Sequence, residues 1–520
     1  MEGTKSIEGV IDVEYFNERV IEGYNEGWGP EELPADIYAA RSLIPAGTGA
    51  LRDFSYISPD IPEFDHNNCT GCMECVTECP DTAILAKVVE RSVLERELGR
   101  VEDPEDREYI QSHFARTKKY YNAFEKQGQE PGMFALFIDP SKCKGCAECV
   151  EVCGERNALK MIRKTEENLP LLRRAFKFFR DLPDTPTKYI NEKNLADMML
   201  AGRTLLYVGG GPSCMGCGEV TAIRMMLAAT SFVYGPQSLG IVAATGCNTV
   251  YGSTYPYNPY MVPWTNPLFE NAPAVAMGLR MRWNQRGWRD KKVWVLGGDG
   301  AMLDIGFQSL SRMLVSGMDI NVLVLDTQVY SNTGGQTSTS TFIGQDAKMS
   351  AHGKAIKGKV ERRKELAQVC MMHPEVFVAQ TTCAHITHFY RAIMAANEYP
   401  GPAVVNVYTT CQPEHGVADD LAAKQAELAV ASRAFPLLIY DPRKGPRIKD
   451  RLDLKGNPSV SKDWHVDHRL GTIDFIYWAR TEGRFAKHFD KDGNPSPDLL
   501  AAQEERLQNW RLLQELAGVI

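Results

Sequence analysis

The chain has 520 residues, of which 44% are apolar and 24% are charged, and its formal net charge is −8. A globular chain this long usually divides into about two to four domains. The acidic balance argues against a general nucleic-acid binder or a protein of the membrane surface. No apolar run approaches the ~18 residues of a transmembrane helix, and no apolar signal-peptide segment follows Met1. We therefore expect a cytoplasmic protein.

Three segments precede the main domain. Residues 1–60 are mixed in composition and are expected to be an extension that wraps around a partner or another domain. Residues 61–165 contain eight cysteines, and the charged stretch 88–127 between them predicts one or two exposed, inserted helices. Residues 166–200 are predicted to form a helical connector.

The chain has fourteen cysteines, which is many for its length. Disulfides are rare in a reducing cytosol, so metal binding or catalysis is the better interpretation. Beyond the first eight, three cysteines lie between positions 214 and 247, and the others are Cys370, Cys383 and Cys411. Cys370 and Cys383 have no metal-like spacing and are predicted to be buried structural thiols.

The first eight cysteines form two motifs with the spacing C-x2-C-x2-C-x3-C. Three such thiolates fold over three corners of a 4Fe–4S cube, and the fourth reaches the other cube. Zinc usually uses two CxxC pairs that lie far apart, which disfavours the alternative of two zinc sites. Gly71 and Gly145 lie where the backbone must approach the inorganic core, while Gly154 replaces the usual proline after the second motif. One predicted cluster is held by Cys69, Cys72, Cys75 and Cys153, and the other by Cys143, Cys146, Cys149 and Cys79.

Residues 201–440 alternate short apolar runs with helix-length amphipathic segments. Such a pattern indicates a parallel sheet that is covered on both faces, which is a doubly wound α/β domain. Its ligands are expected at the carboxyl ends of the strands. Residues 209–211 lack the glycine pattern of a phosphate loop and are interpreted as a flexible turn. The predicted strands are 205–208, 241–244, 293–296, 322–325, 376–378 and 403–407.

The tail, residues 441–520, is charged and broken by proline and glycine, and it ends in a predicted amphipathic helix at about 497–517. We expect it to wrap around the α/β domain.

A Gly-Asp-Gly sequence at 298–300 separates the strand 293–296 from a predicted helix at 303–314. A diphosphate binds well at such a helix amino terminus, and Asp299 offers a hard oxygen to Mg²⁺. Gly-Asp-Gly alone is a weak indication. It is strengthened by a second polar turn, TQVYSNTGGQ at 327–336, that follows the next strand.

Cys214, Cys217, Cys247 and Cys411 form a third candidate group, because the segments that contain them can meet at one edge of a parallel sheet. A cluster, a zinc site and unrelated buried cysteines all remain open for them from spacing alone.

Several segments together resemble the carboxy-terminal half of the pyruvate:ferredoxin oxidoreductases, in the 2-oxoacid:ferredoxin oxidoreductase family. Over residues 55–520 the chain is similar to that family's thiamine diphosphate-binding, beta-type subunit fused to a small α+β, ferredoxin-like domain with two 4Fe–4S clusters. The segments are CMGCGE at 214–219, ATGC at 244–247, WTNPLFEN at 264–271, GDGAMLDIG at 298–306 and TQVYSNTGGQ at 327–336.

This resemblance implies three 4Fe–4S clusters, thiamine diphosphate and Mg²⁺, with the third cluster on Cys214, Cys217, Cys247 and Cys411. It implies that Asp299, the Thr327 hydroxyl and the Val329 carbonyl bind Mg²⁺. Asn332 would assist catalysis at the reacting carbon. The implied thiamine diphosphate contacts are Glu219, Cys247, Gly298, Asp299, Gly300, Ala301, Thr327, Gln328, Val329, Tyr330, Ser331 and Asn332.

The activity implied by the resemblance is the oxidative decarboxylation of pyruvate with coenzyme A to acetyl-CoA and CO2, or the reverse reaction. Electrons would pass through the three clusters to ferredoxin. The family's amino-terminal domains have no counterpart here, so we expect a separate subunit to complete the active site, in a hetero-oligomer that is a dimer of the heteromer. The chain alone is expected to be inactive.

Three alternatives are kept. One is the same chemistry on 2-oxoglutarate or oxalate, which the missing domains would decide. Another is an electron-transfer subunit with a non-catalytic thiamine site, which the intact Asp299, Thr327 and Asn332 disfavour. The last is a non-redox thiamine lyase with zinc on the third cysteine group, which the eight ferredoxin-type cysteines disfavour.

Overall fold

The computed structural model describes residues 13–32, 43–351 and 358–520. Five strands form two small sheets in the cysteine-rich part of the chain. β1 pairs antiparallel with β5, and β4 lies between β2 and β3 in an antiparallel sheet. These strands are β1 (Asp60–Phe64), β2 (Ile84–Glu90), β3 (Phe114–Ala115), β4 (Gly132–Ile138) and β5 (Leu159–Arg163).

The stretch between the two cysteine motifs contains two longer α-helices, Arg91–Leu98 and Pro104–Gln111, and the short helices Lys118–Asn122 and Ala123–Lys126. Each of the two longer helices packs apolar side chains inward. Leu94, Leu98 and Ile110 lie in one buried cluster with Phe114 of β3 and Phe137 of β4. The other α- and π-helices up to residue 198 are Val13–Tyr15, Phe16–Ile21, Glu22–Asn25, Gly29–Glu32, Glu74–Thr77, Glu148–Cys153, Leu169–Asp181 and Leu195–Met198.

The rest of the chain is built on an eight-stranded sheet in the order β13-β12-β10-β11-β9-β8-β6-β7. The six strands from β10 to β7 are parallel, while β12 and β13 add an antiparallel edge. The strands are β6 (Leu239–Ala243), β7 (Trp264–Thr265), β8 (Lys292–Gly298), β9 (Asn321–Asp326), β10 (Phe377–Thr382), β11 (Ala403–Tyr408), β12 (Leu438–Tyr440) and β13 (Leu452–Asp453). A separate hairpin pairs β14 (His465–Asp467) with β15 (Gly471–Ile473).

Helices cover both faces of this sheet, which confirms the doubly wound α/β prediction. One face packs on the helix Gly218–Tyr234, which is buried along nearly its whole length, and the other packs on Phe307–Leu314. Burial of both faces explains why β9, β10 and β11 consist of buried residues alone. The further α-helices are Cys247–Ser253, Ala272–Gln285, Leu366–Met371, Ile386–Glu398, Gln412–His415, Ala422–Ala431, Ile448–Arg451, Phe475–Arg480 and Pro497–Leu516.

The strand predicted at 205–208 is wrong. Tyr207 makes a single bridge to Tyr260 instead of joining the sheet. The glycines that follow are also not a flexible turn. Gly210 has a φ of 78°, and a Cβ atom there would lie 1.9 Å from the carbonyl oxygen of Gly49. This segment is therefore a tightly packed crossing between backbones.

The helix predicted at 303–314 begins earlier and is interrupted. A π-helix spans Gly300–Ile305, and the α-helix Phe307–Leu314 follows after Gly306. The Gly306 amide donates to the carbonyl of Ala301, five residues back, at 2.8 Å. Asp304 accepts bonds from the amide of Thr339 at 3.1 Å and the hydroxyl of Tyr330 at 3.2 Å, which ties the π-turn to the neighbouring loop.

The two ends of the described chain pack against the sheet domain. Phe16, Val20 and Ile21 form an apolar cluster with Tyr257. The final predicted helix is confirmed as Pro497–Leu516, and its Trp510 and Leu513 enter the core on one face of the sheet.

In the described ranges, none of the helices combines the length and apolar character that crossing a bilayer requires.

Candidate functional site

Four loops meet at the carboxyl edge of β11, β9, β8 and β6, which are adjacent and parallel. The loop after β8 contains Asp299, the loop after β9 begins at Thr327, and Cys247 and Cys411 follow β6 and β11. A cavity opens between the loops that follow β6, β8 and β9, as expected for a doubly wound sheet. Its lining is Glu219, Thr245, Gly246, Cys247, Asn248, Phe269, Gly298, Asp299, Gly300, Ala301, Thr327, Val329, Tyr330, Ser331, Asn332 and Thr333.

Three oxygen donors converge beside this cavity. The Thr327 hydroxyl oxygen lies 3.2 Å from Asp299 Oδ1 and 3.1 Å from the carbonyl oxygen of Val329. The hydroxyls of Ser338 and Ser340 each donate to the other carboxylate oxygen of Asp299 at 2.5 Å, which fixes its orientation. A carboxylate, a hydroxyl and a carbonyl are hard ligands of the kind that Mg²⁺ prefers.

Asp299 is costly to ionise without a cation. It is 1% exposed, and burial together with the nearby Asp326 raises the pKa of its carboxyl to about 7. Asp326 is itself paired with the buried Arg363 guanidinium at 2.5 Å. A divalent cation at Asp299 would therefore offset both the desolvation of this carboxylate and its repulsion by Asp326.

Glu219 brings a second buried carboxyl to the cavity from the first turn of the helix Gly218–Tyr234. It is 6% exposed, and its Oε2 atom has no hydrogen-bond partner. Burial raises the pKa of Glu219 to about 7, although contacts with Tyr251 and Cys247 act in the opposite direction. An unpartnered carboxyl oxygen at a cavity wall fits a ligand that offers an N–H donor.

One predicted cofactor contact lies away from the cavity. Gln328 adopts a left-handed backbone conformation, with φ of 60°, and is fully buried. Its side-chain oxygen accepts a bond from Arg484 at 2.9 Å, and its amide nitrogen lies 3.2 Å from Asp326 Oδ1. The Gln328 side chain therefore holds the loop through its contacts with Arg484 and Asp326, on the side away from the cavity. Ser331 and Asn332 line the cavity, and Asn332 is exposed.

The eight cysteines of the first two motifs come together in the two predicted groups. The thiol of Cys75 interacts electrostatically most strongly with those of Cys72, Cys69 and Cys153, and a cavity is lined by all four. The thiol of Cys149 interacts electrostatically most strongly with those of Cys146, Cys143 and Cys79, ahead of Cys75. In each group the fourth thiol thus comes from the other motif.

The backbone repeats in the two motifs. Gly71 and Gly145 have φ values of 73° and 74°, which turn both loops toward their thiol groups. Burial raises the pKa of Cys69 to about 11 and that of Cys143 to about 12. Thiolates in such surroundings require a positively charged metal centre to stabilise them.

Comparison with known proteins identifies both parts of the chain. Residues 244–407 match the thiamine pyrophosphate enzyme C-terminal TPP binding domain, and residues 68–159 match the 4Fe-4S dicluster domain. The chain combines a thiamine pyrophosphate-binding domain with a 4Fe–4S dicluster domain. The small α+β ferredoxin-like part and the α/β part predicted from the sequence are thereby confirmed.

Its homologues are named as pyruvate oxidoreductases. The probable pyruvate-flavodoxin oxidoreductase of Escherichia coli (strain K12) is 29% identical over 82% of this chain and 40% of the relative. The pyruvate:ferredoxin oxidoreductase of Moorella thermoacetica is 26% identical over 96% of this chain and 46% of the relative. The chain thus spans less than half the length of these curated relatives.

A solved structure of 2-oxoglutarate:ferredoxin oxidoreductase from Magnetococcus marinus, with 2-oxoglutarate, coenzyme A and succinyl-CoA bound, is 23% identical. It aligns with a TM-score of 0.34 over 40% of this chain and 67% of the other.

The third cysteine group lies beside the cavity that Asp299 and Glu219 line. The thiol of Cys247 interacts with Glu219 and with the thiols of Cys217, Cys411 and Cys214. Cys214 is exposed, while the other three are half-buried. Within the described ranges, no set of three His, Cys, Asp or Glu side chains is arranged to bind a single metal ion. The thiolates of a 4Fe–4S cluster bind four different irons and do not converge on one point.

Several residues that shape the site were missed from the sequence. Ser338 and Ser340 lie far along the chain from Asp299, and no local pattern pointed to them. His415 was not among the predicted site residues, yet it is fully buried, with Nδ1 3.4 Å from the backbone nitrogen of Cys411. Its position four residues after a candidate ligand was the available indication. Cys370 and Cys383 are buried in the two faces of the core, as predicted.

Proposed function

We propose that this chain is the thiamine diphosphate-binding subunit of a pyruvate:ferredoxin oxidoreductase. The complete enzyme would oxidatively decarboxylate pyruvate with coenzyme A to acetyl-CoA and CO2 and pass electrons through three 4Fe–4S clusters to ferredoxin. One observation carries the proposal. The cavity beside the oxygens of Asp299, Thr327 and Val329 is also lined by Cys247, one of four thiols that come together.

The residues of the cavity fit thiamine diphosphate and Mg²⁺. When bound, the cofactor supplies the electron sink that decarboxylation of a 2-oxoacid requires. Asp299, Thr327 and Val329 would hold Mg²⁺, and the loop that begins at Gly298 would face the diphosphate. Glu219 would accept a hydrogen bond from the cofactor at its unpartnered Oε2 atom. Asn332 would contact the substrate from the exposed mouth of the cavity.

The three thiol groups would hold three clusters. The match to a dicluster domain covers the first two. The third, on Cys214, Cys217, Cys247 and Cys411, is proposed because these thiols lie together beside the cofactor cavity. A cluster at this position would offer a one-electron acceptor next to the site of two-electron chemistry.

A separate subunit would complete the active site. More than half the length of the curated relatives has no counterpart in this sequence, since it covers 40% of one and 46% of another. We place the groups that grip the substrate carboxylate in that subunit, and we propose that this chain by itself is inactive. Pyruvate is favoured as the substrate because the relatives are named for it.

The deciding experiment is anaerobic isolation of the complex from its source, followed by counts of iron, acid-labile sulfide, zinc and thiamine diphosphate per copy of this chain. We expect about twelve irons with equal sulfide, after subtracting clusters on partner chains, and one thiamine diphosphate. Activity is then measured with pyruvate, 2-oxoglutarate and oxalate in the presence of coenzyme A and ferredoxin. The chain expressed alone serves as the inactive control.

The alternatives give different counts and activities. About eight irons and one zinc would mean that the third group is a zinc site, and the proposed electron route would be abandoned. Twelve irons without thiamine diphosphate would identify an electron-transfer subunit. Turnover of 2-oxoglutarate or oxalate but not pyruvate would correct the substrate while keeping the reaction class.

A further inference from the structure

A buried ion pair lies between two of the thiol groups. Lys144 is part of the second cysteine motif, and Asp81 follows the last cysteine of the first motif by two residues. The Lys144 ammonium nitrogen is 2.7 Å from Asp81 Oδ1, and the two side chains are each 4% exposed. Both charges therefore act in a medium that screens them poorly.

The ammonium group reaches across to the third cysteine group. Its nitrogen lies 2.9 Å from the carbonyl oxygen of Gly211 and within 2.9 Å of both the carbonyl and hydroxyl oxygens of Ser213. Ser213 immediately precedes Cys214, and its hydroxyl donates to Asp81 at 3.1 Å. The pair thus joins the backbone turn of the second cluster motif to the turn that carries the first thiol of the third group.

The two charges lie on different sides of the pair. The Lys144 ammonium group contacts the backbone oxygens of Gly211 and Ser213, on the side of Cys214, whereas Asp81 belongs to the turn that follows Cys79. The ring of Phe54 covers the ammonium group at 5.1 Å and keeps water from it. Burying such a pair is costly and is seldom a net gain in stability. An electrostatic effect on the neighbouring clusters is therefore a better explanation for the pair than stability is.

We propose that the Lys144–Asp81 pair sets the difference in reduction potential between two neighbouring clusters. Lys144 stabilises the added electron on the third cluster, and Asp81 disfavours it on the cluster held by Cys79, Cys143, Cys146 and Cys149. This inference rests on the proposed function, since it requires a cluster on the third cysteine group. Both residues are positioning residues, and neither ligates iron.

Charge-removing substitutions test the proposal in the complete complex. In Lys144→Gln, the third cluster should show a more negative midpoint potential in an EPR-monitored redox titration, because a nearby cation is lost. In Asp81→Asn, which keeps the size of the side chain, the potential of the other cluster should become more positive. Signals are assigned to the third cluster by their loss in Cys411→Ala.

Lys142 provides a matched control. It is also buried and also adjoins Cys143, but its ammonium group donates to the carbonyl oxygens of Ala50, at 2.9 Å, and Arg52, and these residues lie before the first cysteine motif. Lys142→Gln should leave the potential of the third cluster unchanged. Lys144→Arg keeps the charge and should keep the wild-type potential of the third cluster, which separates loss of charge from altered packing.

The outcomes separate this inference from the proposed function. Twelve irons with shifts of opposite sign in the two variants support the ion pair's role. Twelve irons with potentials that stay fixed, or move in the same direction, overturn it while leaving the proposed function intact. Eight irons in the wild-type complex overturn both. If Lys144→Gln does not fold, the sign of the shift in Asp81→Asn decides the question.

Discussion

The Nε2 atom of His415 lies 2.9 Å from the carbonyl oxygen of Thr327, the residue whose hydroxyl belongs to the candidate magnesium site. On the other side of the ring, Nδ1 lies 3.4 Å from the backbone nitrogen of Cys411. The backbone N–H of Cys411 can only donate, so Nδ1 of the ring accepts from it. The carbonyl oxygen of Thr327 can only accept, so Nε2 carries the proton and donates to it. One neutral imidazole thereby connects a candidate cluster ligand with the loop that follows β9.

We expect the two sides of this ring to be separable by substitution. His415→Asn keeps an acceptor near Nδ1 but loses the donor to Thr327, and it should weaken thiamine diphosphate binding by about tenfold, or ~1.4 kcal/mol, the cost of a buried unmade hydrogen bond. His415→Gln can keep that donor and should stay within about threefold of wild type. Calorimetric titration of the cofactor-depleted complex measures both. Equal losses in the two variants would mean that His415 only fills space.

Asp299 should be the dominant contributor to cofactor affinity. Asp299→Asn removes the charge from the group of three oxygens and should weaken Mg²⁺-dependent thiamine diphosphate binding at least about 100-fold, or ~2.7 kcal/mol. Asp319, a partly buried acid before the amino end of β9, provides the control. Asp319→Asn should bind the cofactor normally in the same titration. Normal binding by Asp299→Asn would remove the magnesium assignment.

Loss of a thiol from the third group should remove one cluster only. Cys411→Ala is expected to reduce the iron content from about twelve to about eight per chain, because the dicluster domain uses other thiols. Cys370→Ala is the control, since Cys370 is fully buried and burial alone raises the pKa of its thiol to about 12. Iron and sulfide analysis of both complexes decides the assignment. An unchanged iron content in Cys411→Ala contradicts it.

His388 should make one region of the sheet domain sensitive to acid. It is 5% exposed, lies 2.9 Å from the Thr381 hydroxyl, and burial lowers its pKa to about 4. Arg391 and His385 act in the same direction, and Asp453 opposes them. The folded state therefore binds fewer protons than the unfolded state between pH ~4 and ~6.5, so stability is greatest above this window and falls as pH decreases through it.

The size of that effect can be measured locally. The quantity to compare is the free energy of local opening around β10 and the helix Ile386–Glu398. Between pH 6.5 and pH 5 it should decrease by about 1–2 kcal/mol more in wild type than in His388→Gln. Hydrogen exchange followed by mass spectrometry, corrected for intrinsic rates, gives this difference. His468→Gln, at an exposed position, is the control and should behave as wild type. Identical pH dependence in wild type and His388→Gln would show that this residue does not titrate in the window.

Local patterns predicted the parallel strands well because both faces of the sheet are buried. The short apolar, β-branched runs at β8, β9, β10 and β11 are typical of buried parallel strands and fit few other secondary structures. The run at 205–208 has the same local pattern but lies outside the sheet. The glycines that follow it pack closely on another backbone segment, with Gly210 against Gly49. A contact between residues far apart in the chain cannot be recognised from a few consecutive residues, so the strand prediction failed there.

The candidate site divides in the same way. Gly-Asp-Gly at 298–300 and the polar turn after β9 are short, local motifs, and each predicted residue except Gln328 lines the cavity. The left-handed backbone at Gln328 turns its side chain toward Arg484, 156 positions away in the chain. A non-glycine residue with positive φ is uncommon, and the sequence around Gln328 gave no reason to expect one.

The sequence by itself determined the cysteine spacing, the Gly-Asp-Gly motif and the positions of most of the parallel strands, because each depends on residues close together in the chain. Only the tertiary structure decided that Cys247 shares a cavity with Asp299, that His415 connects Cys411 to Thr327, and that the charges of Lys144 and Asp81 lie between two thiol groups. Those relationships arise where distant segments meet at one edge of the sheet. Packing of the whole chain fixes them, and no local preference encodes them.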